Sequence, residues 1–530
     1  MEWYEVYKSV GTGMENCLDV ENMRNILSLS YYDLPSHLRT CLLYFSLFPE
    51  DYVIDNERLV WMWIAEGFIQ SEKKRESLFE LGESYFNELI NRSMIQLVHK
   101  GCSDLIKYCR VHDMVLDLIH SLSSEENFVT ILNDVHHTSP SKKVRRLSLQ
   151  NGKVDHFAPQ TTMSIQQVRS VVAFPFAINI TPALQSFRIL RVLDLQDSCL
   201  SESCNLNYLE NLFHLRYLGL RNTHIAQLPE EIGNLRFLQT LDVKDNEITR
   251  LPSTVVQLRH LMCLRIEVCT RVPNGIGSLT SLEELSMLCI DDSTDIIEEL
   301  GHLTQLRVLD ISCQIEWNCI LEKSLVKCLS KLQKIKSLYI WVHGECNLDD
   351  WITPQHLSRF GAAMGLPGCW FSTLPAWINS SLLLNLSFLS ITVRELQQED
   401  LEILGRLPAL RDLHLEVDHR NIGILERFVF SSGSFPSLVH CGFSGYIGPF
   451  VFQEGAMPRI KSLRFTSHVR EMREIADSFY LGLRNLPSLQ LVAALFFSRG
   501  ASKEVVEEAK AALRHEIEIH PNHPTLWIPS

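Results

Sequence analysis

No run of about eighteen apolar residues, the length a bilayer demands, occurs in this 530-residue chain. The best candidate, Leu382 to Val393, is short and is broken by Asn385 and Ser387. No membrane span is therefore expected. A basic excess is missing too: Lys and Arg number 49 against 63 Asp and Glu, a formal charge of −14, which speaks against nucleic acid as a main partner. The fifteen cysteines include no Cys-x-x-Cys pair, and several stand in apolar runs such as Leu261-Met262-Cys263-Leu264. Such cysteines read as buried free thiols, not as a zinc site or a disulfide framework. The acidic start, Met1-Glu2-Trp3-Tyr4-Glu5, carries no secretion leader, so a cytoplasmic address is expected. A phosphate-cradling Gly-x-x-x-x-Gly-Lys-[Ser/Thr] loop is also absent, because the only Gly-Lys pair, Gly152-Lys153, is followed by Val154. The chain alone is expected to hold no cofactor and to be no enzyme.

What is present is a leucine period. Leu215-Arg-Tyr-Leu218-Gly-Leu220 is followed by Leu238-Gln-Thr-Leu241-Asp-Val243, Leu261-Met-Cys-Leu264-Arg-Ile266 and Leu282-Glu-Glu-Leu285-Ser-Met287, at steps of 23, 23 and 21 residues. Repeats close alike, on Leu228-Pro229, Leu251-Pro252 and Val272-Pro273. An L-x-x-L-x-L core at this period is the leucine-rich repeat, in which each short strand and its return segment bury their apolar side only against the next unit. The pattern resurfaces at Leu306, Leu309 and Ile311, at Ile335, Leu338 and Ile340, at Leu386, Leu389 and Ile391, at Leu410, Leu413 and Leu415, and at Ile460, Leu463 and Phe465. Val144 to Leu149 and Val168 to Val172 read as weaker lead-in repeats, although Lys142-Lys143-Val144-Arg145-Arg146 is also readable as a nuclear-localisation patch.

The first 125 residues lack this period. Asp33-Leu34-Pro35 marks a helix entry before Leu38 to Phe48, and Pro49 ends that run. Asn56 is expected to cap the helix through Leu59-Val60-Trp61-Met62-Trp63-Ile64-Ala65, which stops near Gly67. Further helices are expected from Leu78 to Asn91 and from His112 to Ser121. Between them, Met94 to Val98 and Leu105 to Tyr108 read as two strands around the turn Lys100-Gly101-Cys102-Ser103. Helices followed by a small hairpin outline a winged helix. Its central helix carries one basic residue, Arg58, among Trp61 and Trp63, and so reads as a core helix, not a DNA reader.

Leu29-Ser30-Tyr31-Tyr32-Asp33-Leu34-Pro35, Cys41 to Tyr52, Trp63-Ile-Ala-Glu-Gly-Phe-Ile69 and Cys109-Arg-Val-His-Asp-Met-Val115 are similar to successive signatures of plant nucleotide-binding leucine-rich-repeat disease-resistance proteins of the coiled-coil type. The resemblance implies an α/β chain, a helical winged-helix domain followed by a leucine-rich-repeat solenoid of horseshoe form. It implies residues 1–24 as the remnant of a preceding helical subdomain, 25–125 as the winged helix, 126–142 as a linker and 143–530 as the repeat domain. Val111-His112-Asp113 matches the family's Met-His-Asp nucleotide sensor with Val in the first place. The resemblance implies that His112 reaches the β-phosphate of ADP while Asp113 orients the local backbone. A bland alternative is a His-Asp pair at a helix start, with Asp113 favoured by the helix dipole. ADP or ATP would enter only with an upstream nucleotide-binding domain, in cis or in trans. The implied role is an intracellular immune receptor whose repeats sense a pathogen effector or a guarded host protein. A non-signalling binding scaffold or decoy is the rival.

Strand alternation sends the residues beside the repeat leucines outward. The candidate partner face is then Arg221, Lys244, Leu288 and Trp341, with Arg265 and Tyr339 in the adjacent column. Tyr339 and Trp341 are expected to stand exposed on one strand and to anchor a protein partner. His515 and His520 lie five apart, one too many for a zinc helix, and Gly11-Thr12-Gly13 reads as a loop.

Overall fold

The computed structural model describes residues 18–71, 77–98, 107–133, 144–151, 167–175, 187–198, 200, 206–290, 295–313, 315, 317–342, 344–362, 369–417, 427–445, 449–470, 473, 479–497 and 501–529. The turn Lys100 to Ser103, the pairs Lys142-Lys143 and Gly152-Lys153, the loop Gly11 to Gly13 and most of the expected remnant 1–24 lie outside them. The chain divides into two compact units, the first ending at Leu264 and the second running from Arg265.

In the first unit, α1 (Leu18–Tyr32) and α2 (Ser36–Leu43) meet at Pro35, which occupies the N-cap of α2 and brings φ −54° to it. A 3-10 turn over Tyr44–Leu47 leads to β1 (Ile54–Asp55) and α3 (Asn56–Glu66). Asp55, not the expected Asn56, caps α3: its carboxylate accepts from the Glu57 N–H at 2.8 Å. Asp55 has the extended backbone that a cap needs, whereas Asn56 is already the first helical residue. Gly67, at φ 85°, closes α3 in the left-handed region that glycine enters without strain. Helix α4 spans Leu78–Asn91 as expected, and α5 runs further than expected, Asp113–Glu125. Strands β2 (Gln96–Val98) and β3 (Tyr108–Arg110) pair antiparallel, and β1 adds to β3 to complete a three-stranded wing. Nearly all of α3 is buried, Trp61 and Trp63 included, so it is a core helix.

The repeat sheet begins earlier than expected. Within the expected linker, β4 (Thr130–Asn133) pairs in parallel with β5 (Arg146–Asn151), so this stretch is part of the array. Strands β6 (Ser170–Ala173), β7 (Val192–Asp194), β8 (Tyr217–Gly219) and β9 (Thr240–Asp242) follow in parallel register, aligning Leu147, Val171, Leu193, Leu218 and Leu241. Each of these is at most 2% exposed, and burying such a side chain is worth about 2 kcal/mol. The division between units falls inside β10 (Cys263–Arg265).

The second unit, taken by itself, is also a parallel ladder: β11 (Glu284–Ile290), β12 (Val308–Cys313), β13 (Ser337–Trp341), β14 (Arg359–Gly361), β15 (Phe388–Val393), β16 (Asp412–Val417), β17 (His440–Gly445), β18 (Ser462–His468), β19 (Leu491–Phe497) and β20 (Thr525–Trp527). Phe360 and Cys441 fill the leucine column in β14 and β17 and hide those repeats from a leucine count. Return segments include α6 (Asp295–Leu300), α7 (Cys319–Leu329), α8 (Gln398–Gly405) and α9 (Lys503–Glu518), the last leading into β20. From α9, Glu516 accepts backbone N–H bonds from Leu481 at 2.6 Å and Leu483 at 2.8 Å. Burial nonetheless outweighs those bonds and raises its carboxyl above the ordinary value. Cys346 and Cys369 pair as a disulfide across two short parallel strands, where the sequence predicts only free thiols. Cys41, Cys109, Cys263, Cys289, Cys313, Cys328 and Cys441 are buried thiols outside that disulfide, as expected.

Candidate functional site

His112 occupies the N-cap of α5, exposed, with Val111 buried before it and Asp113 as the first helical residue. The His112 ring accepts from the Met114 N–H through Nδ1 at 3.3 Å. An acceptor Nδ1 in a neutral imidazole leaves the proton on Nε2, the ring's other side. The helix start adds backbone N–H groups and the positive end of a dipole, an environment that suits an anion. Asp113 lies close enough to Glu50 to raise that carboxyl, ahead of the effects of burial, Asp51 and Asp117. The bland and the functional readings therefore share one geometry: a helix cap with a spare donor.

Helix α3 carries a feature that the sequence did not single out. Two of its charged side chains, Arg58 and Glu66, end on repeat strands of the same unit. Arg58 meets Asp194 through Nε at 2.8 Å and Nη2 at 2.7 Å, while its Nη1 donates to the Tyr52 hydroxyl at 2.9 Å. Glu66 accepts from Arg146 at 2.9 and 3.1 Å, a two-pronged pair, and also from the Ser170 hydroxyl. The Arg146 guanidinium lies over the Phe128 ring at 4.1 Å and the Phe68 ring at 5.1 Å. Ser148 donates to the Leu47 carbonyl at 2.6 Å. A charged residue at each end of an otherwise apolar helix is the one sequence signal that could have flagged this seat.

The candidate partner face is only partly as expected. Arg221 is half-buried and ion-paired to Asp245 at 2.6 Å, and Lys244 is half-buried. Arg265 is buried against Glu284 at 2.5 Å and so is not a free contact. Leu288 is a correction: it is 0% exposed. Register slips between Leu285 and Leu288, with Met287 at φ 60°, so Leu288 pairs with inward Ile311 instead of outward Ser312. A bulge inserts one residue and turns the next side chain to the other face.

Tyr339 and Trp341 do point to the outward side but are half-buried, not freely standing. The Tyr339 ring packs on Phe388 at 5.9 Å, and Phe388 on His414 at 5.8 Å. Two glycines allow this: a Cβ at Gly361 would sit 2.5 Å from the Tyr339 ring, and one at Gly442 would sit 2.8 Å from the His414 ring. His414 is held below the usual imidazole value by burial and then by His440. No cluster of metal-ligating side chains occurs among the described residues, and buried His520 is occupied by the Leu486 carbonyl and the Asn522 N–H.

Comparison with known proteins adds two matches. Residues 47–119 match the disease resistance protein winged helix domain, and residues 167–526, more than half the chain, match the leucine-rich repeat region. The chain belongs to the leucine-rich-repeat family of disease-resistance proteins. Among relatives in this family, the disease resistance protein RGA5 of Oryza sativa subsp. japonica is 30% identical over 519 residues, 94% of this chain and 45% of the rice protein. RPP8 of Arabidopsis thaliana is 28% identical over 514 residues, 92% of this chain and 54% of its own length. Pik-2, also from rice, is 35% identical over 237 residues, 44% of this chain and 23% of its own length. The chain thus spans about half or less of the curated relatives it matches. A leucine-rich repeat region of this extent implies protein–protein interaction. A leucine-rich-repeat protein of Leptospira interrogans aligns at 18% identity and a TM-score of 0.39, covering 67% of this chain and 99% of that one; the fold assignment rests on strand register instead. Among the described residues, no helix is long and apolar enough to cross a membrane.

Proposed function

We propose that this chain is the regulatory and sensing portion of a cytoplasmic plant immune receptor, in which the winged helix monitors nucleotide and the repeats recognise a pathogen effector or a guarded host protein. The observation that carries the reading is His112: its Nδ1 is taken by the Met114 N–H, which leaves the Nε2 proton for an outside acceptor. A phosphate oxygen of ADP, brought by a nucleotide-binding domain in cis or in trans, is such an acceptor. Asp113 at the first helical position then holds the helix start to which the ring is fixed. Loss of that contact would bias a two-state equilibrium towards the signalling form.

The test is a receptor assembled from an upstream nucleotide-binding core and this chain, expressed in leaf tissue. Asp113→Val is expected to signal without pathogen. A silent variant at normal protein level would overturn the sensor assignment and leave His112 a simple helix cap.

A further inference from the structure

Strand register sorts the outward residues of the first unit into two columns. One contains Arg146, Ser170, Val192, Tyr217 and Thr240; the other contains Ser148, Val172, Asp194, Gly219 and Asp242. On a sheet face awaiting an outside protein these would meet water. Here Val172, Val192 and Tyr217 are at most 2% exposed, and together with Cys263 they belong to the same apolar cluster as Phe45, Trp61 and Trp63 of the winged helix. Four of the polar members are also engaged: Asp194 by Arg58, Arg146 and Ser170 by Glu66, and Ser148 by the Leu47 carbonyl.

We propose that the winged helix is the permanent occupant of this outward face, so that the chain up to about Leu264 opens and closes as one cooperative unit and its sheet face is closed to any outside partner. The apolar contacts hold α3 down. The two ion pairs fix its register, because an α3 displaced by one turn would bury Arg58 or Glu66 away from its partner, and an uncompensated buried charge is strongly disfavoured. If the repeats are the sensor, as proposed above, recognition is left to the outward face beyond Arg265. The single-unit claim stands without that reading.

Thiol labelling of the full chain in graded denaturant, read by mass spectrometry, tests this without any partner. Cys109 sits in the winged-helix core and Cys263 under it on the sheet, both 0% exposed, while exposed Cys269 and Cys319 report the unprotected rate. After correction for each thiol's rate in the denatured chain, Cys263 and Cys109 are expected to react within about threefold of each other across the denaturant range. Labelling of Cys263 about tenfold or more ahead of a still-protected Cys109 would show the winged helix lifting from a folded sheet and would overturn the proposal. Asp194→Asn supplies a second arm. It should speed both sites by the same factor, and acceleration at one site alone would also overturn the proposal.

Discussion

Glu66→Ala removes the carboxylate that Arg146 grips at 2.9 and 3.1 Å, and leaves a guanidinium whose side chain is only 8% exposed. Arg146 keeps its stacking on Phe128 and a weak bond to the Phe128 carbonyl, but Ser170 also loses its acceptor. An uncompensated buried charge of this kind costs about 3–5 kcal/mol. At about 1.4 kcal/mol per tenfold, opening of the first unit, read at α3, should become roughly a hundred- to several-thousandfold more frequent. Amide hydrogen exchange along Asn56–Glu66 is the suitable assay, because protection of these buried amides reads the opening of the first unit directly. Pairing the change with Arg146→Met removes both charges and should recover most of the loss, since apolar replacements of buried pairs are often neutral or better. The reasoning fails if Glu66→Ala changes exchange less than about fivefold, or if the double variant is as loose as the single one.

Leu288→Ala, at an inward position with 0% exposure, is expected to cost about 2–5 kcal/mol in thermal or denaturant unfolding of the second unit; a neutral result would return Leu288 to the outward face. Calorimetry of the purified chain with ADP should be flat, because a single hydrogen bond from His112 supplies about 1–3 kcal/mol, far short of micromolar affinity. Glu516, whose carboxyl is raised by burial, contributes stability that is fully present below the ordinary glutamate value of 4.5 and is lost as pH rises through its higher folded value. Melting of the α9 region followed from pH 3.5 to about 7 should therefore show a downward slope that Glu516→Gln abolishes, and equal slopes in both proteins would refute the assignment.

The repeat architecture was legible because one physical demand, a leucine column buried against the next unit, recurs at a nearly fixed period and leaves a mark that no local context erases. Helix α4 was legible to the residue for a similar reason: its apolar spacing is helical and its ends are free of competing signals. Asp55 and Asn56 were harder, since both are good caps and only the backbone at Asp55 decides between them. Leu288 misled because counting residues along a strand assumes strict alternation, and a bulge at Met287 breaks the count without any glycine or proline to announce it. The seat of α3 left only a faint mark, for another reason. Arg58 and Asp194 are 136 residues apart, and each looks like an ordinary polar residue in its own segment. The Val111-His112-Asp113 motif was found at once by resemblance, yet its geometry alone is that of a common helix cap.

Gly361 and Gly442 set the relief of the second unit's outward face. Each leaves just enough room for a neighbouring ring to lie down, and a single added methyl would crowd Tyr339 at 2.5 Å or His414 at 2.8 Å. Displaced rings have one direction open to them, away from the sheet. Glycine-to-alanine exchange at either site would therefore raise a ridge where there is now a floor, with the leucine column beneath untouched. The surface can be redrawn this way, one carbon at a time, without rebuilding the core.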